Sequence, residues 1–325
     1  MIFFITVLRA LAACLITNAH YEGIYPTDLI ANGGLIGDVI FFAVSGYCLC
    51  NIKHPLSAKG FISWYGKRLW RVYPPVVVCT LIYFLLGAYD FSIHGFVWWI
   101  VYPTYYHFIA SIILLYIPFF FFMKIDVLRR NIGKIMIAIA AIWAIVYCFF
   151  YDKSYYHIDS VYEPMIRFLF MESMLVGAWF RINDKRIRNC FKIVYPIVTI
   201  LLFAVYFISK KLFSTRVDLS QFQILNQIII FALLFFIFRS FSGIDCHLSS
   251  LPRWIKKMIE FVSSITLEIY VVQYVLIDLV REWGISFPAN WLILTASIIF
   301  TAFVLHLLCK CIYKGGELLI RRLKK

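Results

Sequence analysis

Two side chains in the first apolar segment of this 325-residue chain could do chemistry together. Arg9 and His20 are eleven residues apart, and eleven residues of α-helix turn through about 1100°, only about 20° past three full turns. Both side chains therefore lie on one helix face, about 16 Å apart along its axis. Histidine exchanges protons near neutral pH and can act as general base for an attacking hydroxyl. A snorkelling arginine and an interfacial histidine explain the same pair without chemistry.

The second apolar segment adds three more polar or small residues. Asp38 stands near its start, and Ser45 and Gly46 lie deeper within it. Since the first helix ends close to where the second begins, Asp38 is a candidate to orient the ring of His20. We interpret Ser45 as a packing and hydrogen-bonding residue rather than a nucleophile, because no Ser-His-Asp arrangement accompanies it. Gly46 would permit close approach of a neighbouring helix.

A cluster of basic and aromatic residues follows, in the run KRLWRVYPP. Arg68 and Arg71 are three residues apart, which places both guanidinium groups on one side of a turn. Guanidinium groups bind phosphates through bidentate, permanently charged hydrogen bonds. With Lys67 they form a candidate phosphate site, which Trp70 and Tyr73 could border as partners of a nucleotide base. The general excess of basic residues at the cytoplasmic face is the alternative for the three cations, but the arginine pair next to the prolines favours the phosphate site. An interfacial aromatic belt explains the two aromatic residues equally well.

The composition of the chain places these residues inside a membrane protein. Hydrophobic residues make up 63% of it and charged residues 15%, against about 25% charged in ordinary soluble domains. Long apolar runs recur along almost the whole chain, which excludes a soluble enzyme, a disordered chain and a fibre. We predict an all-α polytopic bundle that forms one domain, 1–325. About ten spans are expected, roughly at 3–20, 34–51, 73–88, 95–123, 133–151, 161–180, 190–209, 221–240, 259–280 and 290–312.

The net charge of +14 predicts the orientation of this bundle. If the N-terminus is cytoplasmic, 24 of the 31 basic residues fall in inner linkers and the tail, and five in outer linkers. Lysine and arginine favour the cytoplasmic side, so both termini are predicted to be cytoplasmic. Anionic lipids account for any remaining attraction, and no nucleic-acid partner is predicted. The tail contribution to this count includes Arg321, Arg322, Lys324 and Lys325.

Other polar residues within the spans are predicted to be buried support rather than site residues. A charged side chain near the bilayer centre costs roughly 2.5–3.5 kcal/mol on insertion scales, so each needs a partner. Glu172 and Arg167 are five residues apart, or about 140° around a helix, and cannot pair directly; either could meet Arg9 across the bundle. Glu268 is assigned a similar role. The nine cysteines and the histidines form no set with metal-ligand spacing, so neither a metal nor a tightly bound cofactor is predicted.

Taken in order, these elements resemble the membrane acyltransferase-3 family. Its R-x10-H element corresponds to Arg9 and His20, and its FFxxSG[FY] element to the run FFAVSGY that ends at Tyr47. Its RxxRxxPP-like element corresponds to Arg68, Arg71, Pro74 and Pro75. Three later stretches are similar to the family's fourth, sixth and ninth spans, so the resemblance covers nearly the whole chain: His107 to Pro118, Arg167 to Gly177 and Ser263 to Gln273.

Two positions depart from the family pattern. Asp38 stands one residue before the usual aspartate, where this chain has Val39. One residue is about 100° of helix, so the carboxyl group points differently. Gln273 occupies a position where many relatives carry histidine, which weakens any mechanism that needs a second histidine there.

The resemblance implies an O-acyltransferase that takes an acyl group, usually acetyl, from a cytoplasmic thioester. The acceptor would be a hydroxyl of a cell-surface or lipid-linked polysaccharide, and the location a bacterial cell membrane. His20 would be the base, Asp38 would orient its ring, and Arg9, deeper on the same face, would lie along the arm of the donor, where it could bind CoA or hold local structure. Acetyl-CoA would be a co-substrate, bound by Lys67, Arg68, Arg71, Ser45, Trp70 and Tyr73. Some relatives carry a fused hydrolase-like domain, which this chain is expected to lack. Whether it forms a homo-oligomer stays open.

Two other classes of protein also fit buried arginine, histidine and glutamate. A transporter of glycans or small acids carries such residues, often at broken helices in repeated halves, and no repeat is visible here. A glycan polymerase or flippase would need a substantial outer loop, and none exceeds about fifteen residues in the predicted topology. The acyltransferase alone requires CoA, which separates the three experimentally.

Overall fold

The computed structural model describes residues 2–90, 92–160 and 164–323, with side chains described up to residue 316. Over these residues the regular secondary structure is helical throughout, so the predicted all-α class is confirmed. The four tail residues counted above, Arg321, Arg322, Lys324 and Lys325, lie outside the described side chains.

Fifteen α-helices follow one another along the described chain. A π-helical turn, Val97–Val101, follows the fourth, and a 3-10 helix, Val217–Phe222, follows the tenth. The helices are α1 Phe3–Ala19, α2 Gly34–Leu49, α3 Ala58–Leu85, α4 Ile93–Phe96, α5 His107–Lys124, α6 Asp126–Arg130, α7 Ile132–Phe150, α8 Ile166–Ile182, α9 Asp184–Ile187, α10 Val194–Thr215, α11 Ile224–Gly243, α12 Asp245–Ser249, α13 Arg253–Ser264, α14 Thr266–Glu282 and α15 Ala289–Leu323.

Six of the described helices are long and apolar enough to cross a membrane. They are α3, α5, α7, α10, α11 and α15, and the bent pair of α13 and α14 makes a seventh if it counts as one span. The apolar helices α1 and α2 are shorter. Each of the ten predicted spans overlaps a helix or helix pair. The number of crossings and the side of each terminus stay predictions.

Helix α3 begins well before the predicted third span, 73–88. Ser57 caps it, since its Oγ accepts a hydrogen bond from the Gly60 backbone N–H at 3.1 Å. The helix continues through both prolines. Pro75 cannot donate to the Arg71 carbonyl one turn back, and the Tyr313 hydroxyl donates to that oxygen instead, at 3.1 Å. The basic cluster is therefore helical and held at fixed spacing, rather than in a linker.

Two predicted spans are interrupted. The fourth, 95–123, is divided between α4, the π-helical turn and α5, with a break at 102–106. The break contains Pro103, which pushes the preceding Tyr102 into extended geometry. The ninth span, 259–280, starts within α13, and α13 and α14 meet at a bend of 69°. Each of these two predicted spans is therefore divided between helices rather than formed by one continuous helix.

Helix α2 lies at the centre, packed between α1 and α8. A Cβ at Gly46 would collide with the backbone of Met174 on α8, and one at Gly177 would collide with the Ala43 carbonyl on α2. On the other side, a Cβ at Gly37 would strike the backbone of α1. The prediction that Gly46 permits close helix approach is confirmed. These contacts fix the position of α1, which carries Arg9 and His20.

Candidate active site

The inner end of the candidate site is a cationic cluster, defined here by Arg9, Lys67, Arg68 and Arg71. The Arg9 Nη2 donates to the sulfur of Cys48 on α2 at 3.4 Å. From α3, Arg68 interacts electrostatically with Arg71 and with the same Cys48. Arg9 from α1 and Arg68 from α3 thus both interact with Cys48 on α2, and Arg71 lies near Arg68, although like charges repel. Such an arrangement favours an anion between them.

The cationic cluster has no internal counter-charge. Among the residues that the structure describes, no carboxylate lies within ion-pair distance of its four members. The Nε of Arg68 is buried and has no hydrogen-bond partner there. A buried donor without a partner costs about 1–3 kcal/mol, and more when it is charged. An anionic ligand that accepts this hydrogen bond would remove that cost, so the cationic cluster favours anion binding.

A histidine in the loop before α3 is affected by the same positive charges. His54 lies in this loop, and its pKa is lowered by partial desolvation and by the charges of Lys67, Arg68 and Lys124. Positive neighbours disfavour a further positive charge, which is the direction observed. Lys124 ends α5, so a third helix contributes a positive charge to this region. The positive potential therefore extends from the cationic cluster to this loop.

The other residues predicted to bind the donor differ in their surroundings. Trp70 is 48% exposed and meets Tyr313 edge-on, with ring centroids 6.3 Å apart. The Tyr73 hydroxyl donates to the Val101 carbonyl at 2.8 Å, which gives this side chain a structural contact. Ser45 is half-buried on α2, one turn before Cys48. Trp70 is the more accessible of the two aromatic rings, and their contact with a nucleotide base stays a prediction.

The outer end of the candidate site is built around His20, which follows the last residue of α1. Its backbone carbonyl accepts a hydrogen bond from Arg281 on α14 at 3.2 Å. Its ring meets Tyr274 edge-on at 5.1 Å. His107, at the start of α5, interacts with it electrostatically. Three helices therefore converge on this imidazole, as a positioned base would require.

Four tyrosines form an outer aromatic cluster beside His20: Tyr105, Tyr106, Tyr270 and Tyr274. The ring centroid of Tyr274 lies 5.5 to 5.8 Å from those of the other three. None of these four tyrosines was predicted as a site residue from the sequence, because their contacts join helices that are far apart in the chain. The i, i+4 spacing of Tyr270 and Tyr274 within a span was the available signal.

Asp38 lies near this cluster but is not joined to His20 by a hydrogen bond in the described part of the chain. It interacts electrostatically with Tyr270 and Tyr274. Its Oδ1 is buried and has no partner among the described residues. The proposed role of Asp38 in orienting the imidazole therefore stays a prediction.

A small cavity separates the two ends of the candidate site. It is lined on α1 by Ala13, Ile16 and Thr17, and across from them by Phe41, Phe108 and residues of α14. Its volume of about 10 Å³ is close to the lower limit for one water molecule. In this conformation the cavity is too small for the arm of an acyl donor.

Of the three residues predicted as buried support, Glu268 has a recorded hydrogen-bond partner, whereas Glu172 and the Arg167 Nε do not. Glu268 Oε1 and His306 Nδ1 are 2.7 Å apart, and this pair joins α14 to α15. Arg167 Nε and both carboxyl oxygens of Glu172 are buried without partners among the described residues. The expected contact of Glu172 or Arg167 with Arg9 is not recorded there. The Glu268–His306 pair had no sequence signal, because 38 residues separate its members.

Within the described ranges, no group of three or more His, Cys, Asp or Glu side chains is placed to hold a metal ion. The chemistry available at the two ends is that of cations for an anionic ligand and of an imidazole for proton transfer.

This arrangement, in a bundle of apolar helices, defines a membrane protein with a cationic inner site and a histidine at the other end of the same helix. The family model described as an acyltransferase domain, Acyl_transf_3, matches residues 2–309. The chain belongs to the acyltransferase-3 family and is a membrane acyltransferase. Two further comparisons found neither a curated protein nor a solved structure that matches it significantly.

Proposed function

We propose that this acyltransferase moves an acetyl group from cytoplasmic acetyl-CoA to a hydroxyl of a cell-surface or lipid-linked glycan in a bacterial cell membrane. The observation that carries the proposal is the cationic cluster without a carboxylate partner among the described residues, one member of which, Arg9, lies on the helix that ends at His20. A donor with several phosphates needs such a cluster, and an acceptor hydroxyl needs such a base. Family membership supplies the acyl-transfer chemistry.

The donor would bind at the inner end. Lys67, Arg68 and Arg71 would hold the phosphates, since guanidinium groups make strong, bidentate bonds to phosphate oxygens. Trp70 would border the adenine. Arg9 lies on α1 and would contact the arm of CoA that carries the thioester towards His20, about 16 Å farther along the helix.

His20 would act as general base at the outer end. It would remove the proton from the acceptor hydroxyl while that oxygen attacks the thioester carbonyl carbon. A new C–O ester bond forms and the C–S bond breaks. The departing CoA thiolate then takes the proton back from the imidazole. The contact with Tyr274 would restrict rotation of the ring, and Asp38 would influence its orientation.

The test is a calorimetric titration of the purified protein in nanodiscs with acetyl-CoA. We expect saturable binding in the wild type and in His20→Ala, and none in the Arg68→Ala/Arg71→Ala double variant. The matched control is Lys256→Ala/Lys257→Ala on α13, which removes two basic residues outside the cationic cluster and should leave binding intact. Failure of every folded variant, including wild type, to bind acetyl-CoA would refute the donor assignment and favour a transporter.

A further inference from the structure

A large groove lies on the face of α8 opposite to α2. It has a volume of about 410 Å³, within the range of small-molecule binding sites. Helices α7, α8 and α11 line it, chiefly with apolar side chains that include Met136, Trp143, Trp179, Phe231 and Phe235. It is separate from the cationic cluster and from the outer aromatic cluster, none of whose residues line it.

The groove opens sideways between helices that are long and apolar enough to cross a membrane. Two of its lining residues, Ile137 on α7 and Ile228 on α11, are 72% and 50% exposed. Along α7 the lining runs from Gly133 to Trp143, or about 15 Å, half the thickness of the hydrocarbon core. With these helices in a membrane, the opening would face lipid tails, and molecules dissolved in the bilayer could enter it.

One carboxyl group lines this otherwise apolar groove, and the indole N–H of Trp143 is a second polar group in the lining without a partner among the described residues. Glu172 is 3% exposed, and neither of its carboxyl oxygens has a hydrogen-bond partner among the described residues. An unbonded polar group in an apolar environment costs several kcal/mol. Glu172 lies six residues from Ile166, the start of α8, or about 9 Å along the helix. An occupant of the groove must bring a hydrogen-bonding group to that depth.

We propose that this groove binds a single membrane glycerolipid. An acyl chain lies between α7 and α11, and an ester or hydroxyl oxygen near the top of the chain hydrogen-bonds to the Glu172 carboxyl group. The chemistry of the walls supports a lipid over acyl-CoA, because no basic residue lines the groove to meet phosphates. The proposal concerns a site beyond the donor and acceptor positions, and it holds whether or not those assignments are correct.

The buried carboxyl group argues against a helix from a second copy of the chain. A membrane-spanning helix satisfies its own backbone hydrogen bonds and offers none of them to Glu172. A single hydrocarbon chain is narrow enough to enter between the three helices.

The test is native mass spectrometry of the delipidated protein in detergent, titrated with palmitoyl-oleoyl phosphatidylethanolamine. We expect one tightly held lipid per chain. Glu172→Leu should weaken binding about tenfold, the loss of roughly one hydrogen bond, and Glu172→Gln should retain it, since the amide can still pair with an ester oxygen. Ala140→Trp, which fills the groove, should abolish the tight site.

The matched control is Ala138→Trp, an exposed position on α7 that does not line the groove. It should bind lipid as the wild type does. The two tryptophan variants preserve the test if Glu172→Leu does not fold. Equal lipid binding by Ala140→Trp and wild type overturns the proposal. A dimer lost only in Ala140→Trp, with lipid binding unchanged in light scattering and mass spectrometry, identifies a second copy as the occupant and also overturns it.

Discussion

At the scale of residues, the two functional groups on α1 are separated along the helix and are completed by side chains from elsewhere. The inner arginine contacts Cys48 on α2, which also interacts with Arg68 of α3, and the outer histidine has neighbours on α5 and α14. This arrangement predicts that donor binding and proton transfer can be lost independently, by substitutions at opposite ends of one helix.

The first prediction concerns the base. His20→Ala should lower kcat by about 10²- to 10⁴-fold, the usual contribution of a general base, with the Kd for acetyl-CoA changed less than twofold. Transfer of radiolabelled acetyl groups in membranes, with calorimetry for binding, measures both. The matched control is His94→Ala, an exposed histidine at the start of the interrupted fourth span. Near-normal turnover in His20→Ala would show that another group acts as base.

The second prediction concerns the donor phosphates. Arg71→Ala should raise the KM for acetyl-CoA about 10- to 100-fold, because a charged hydrogen bond contributes about 1.5–3 kcal/mol. Arg71→Lys should give an intermediate value, since it keeps the charge but loses the bidentate geometry. Initial rates against acetyl-CoA concentration give these values. A lower kcat at unchanged KM would place Arg71 away from the phosphates.

The sequence predicted part of the candidate site because helix geometry alone determines which residues of one helix share a face. Arg9 and His20, or Arg68 and Arg71, follow from spacing. Contacts between helices do not, since they depend on packing angles that no local pattern contains. Tyr274, Cys48 and the Glu268–His306 pair were therefore found only in the structure.

At the scale of elements, the crossing of α2 and α8 depends on two glycines in mutual contact with backbone. Gly46→Ala and Gly177→Ala should each destabilise the protein by about 1–3 kcal/mol, because a methyl group there overpacks the crossing. Thermal unfolding in detergent measures the effect. Gly66→Ala is the control, since Gly66 is helical and a Cβ there meets nothing within 4 Å; it should be neutral or stabilising. An equal loss of stability in all three variants would indicate that the protein is sensitive to alanine at any glycine, and would contradict the prediction.

The fourth prediction concerns the bond between α3 and α15. Tyr313→Phe should leave the Arg71 carbonyl without its hydroxyl donor, lower stability by about 1 kcal/mol and raise the KM for acetyl-CoA as Arg71 shifts. Thermal unfolding and initial rates test the two effects separately. Tyr155→Phe, in an exposed loop, is the matched control. An unchanged KM would show that the position of Arg71 does not depend on this bond.

At the scale of the whole molecule, the apolar runs of the sequence predicted the positions of the helices well. They did not predict the places where helices break. A hydrocarbon core requires helices, so the all-α class follows from composition. Continuity does not follow from it: Pro103 divides one predicted span, and another bends at Ile265, where no proline or glycine marks the break. The family model matches residues 2–309, most of the chain that was predicted to form the bundle.

The fifth prediction concerns orientation. With both termini cytoplasmic, a C-terminal green fluorescent protein fusion should fluoresce in bacterial membranes and a C-terminal alkaline phosphatase fusion should be inactive. Fusions made after Ile285, between α14 and α15, should give the opposite results. The basic residues on the predicted inner side provide the physical reason. Active phosphatase at the full-length C-terminus would contradict the topology.

The backbone contacts at Gly37, Gly46 and Gly177 have a mechanical consequence for catalysis. They leave α1, α2 and α8 no space to slide past one another, so these helices form the stationary half of the bundle. The water-sized cavity beside α1 has this half on one side and Phe108 of α5 and Tyr270 of α14 on the other. Passage of a donor arm through this cavity would require the second side to recede. Helix α14, which joins α13 at a 69° elbow, is held to the end of α1 by Arg281 and to α15 by the Glu268–His306 pair, so such an opening would have to break these contacts.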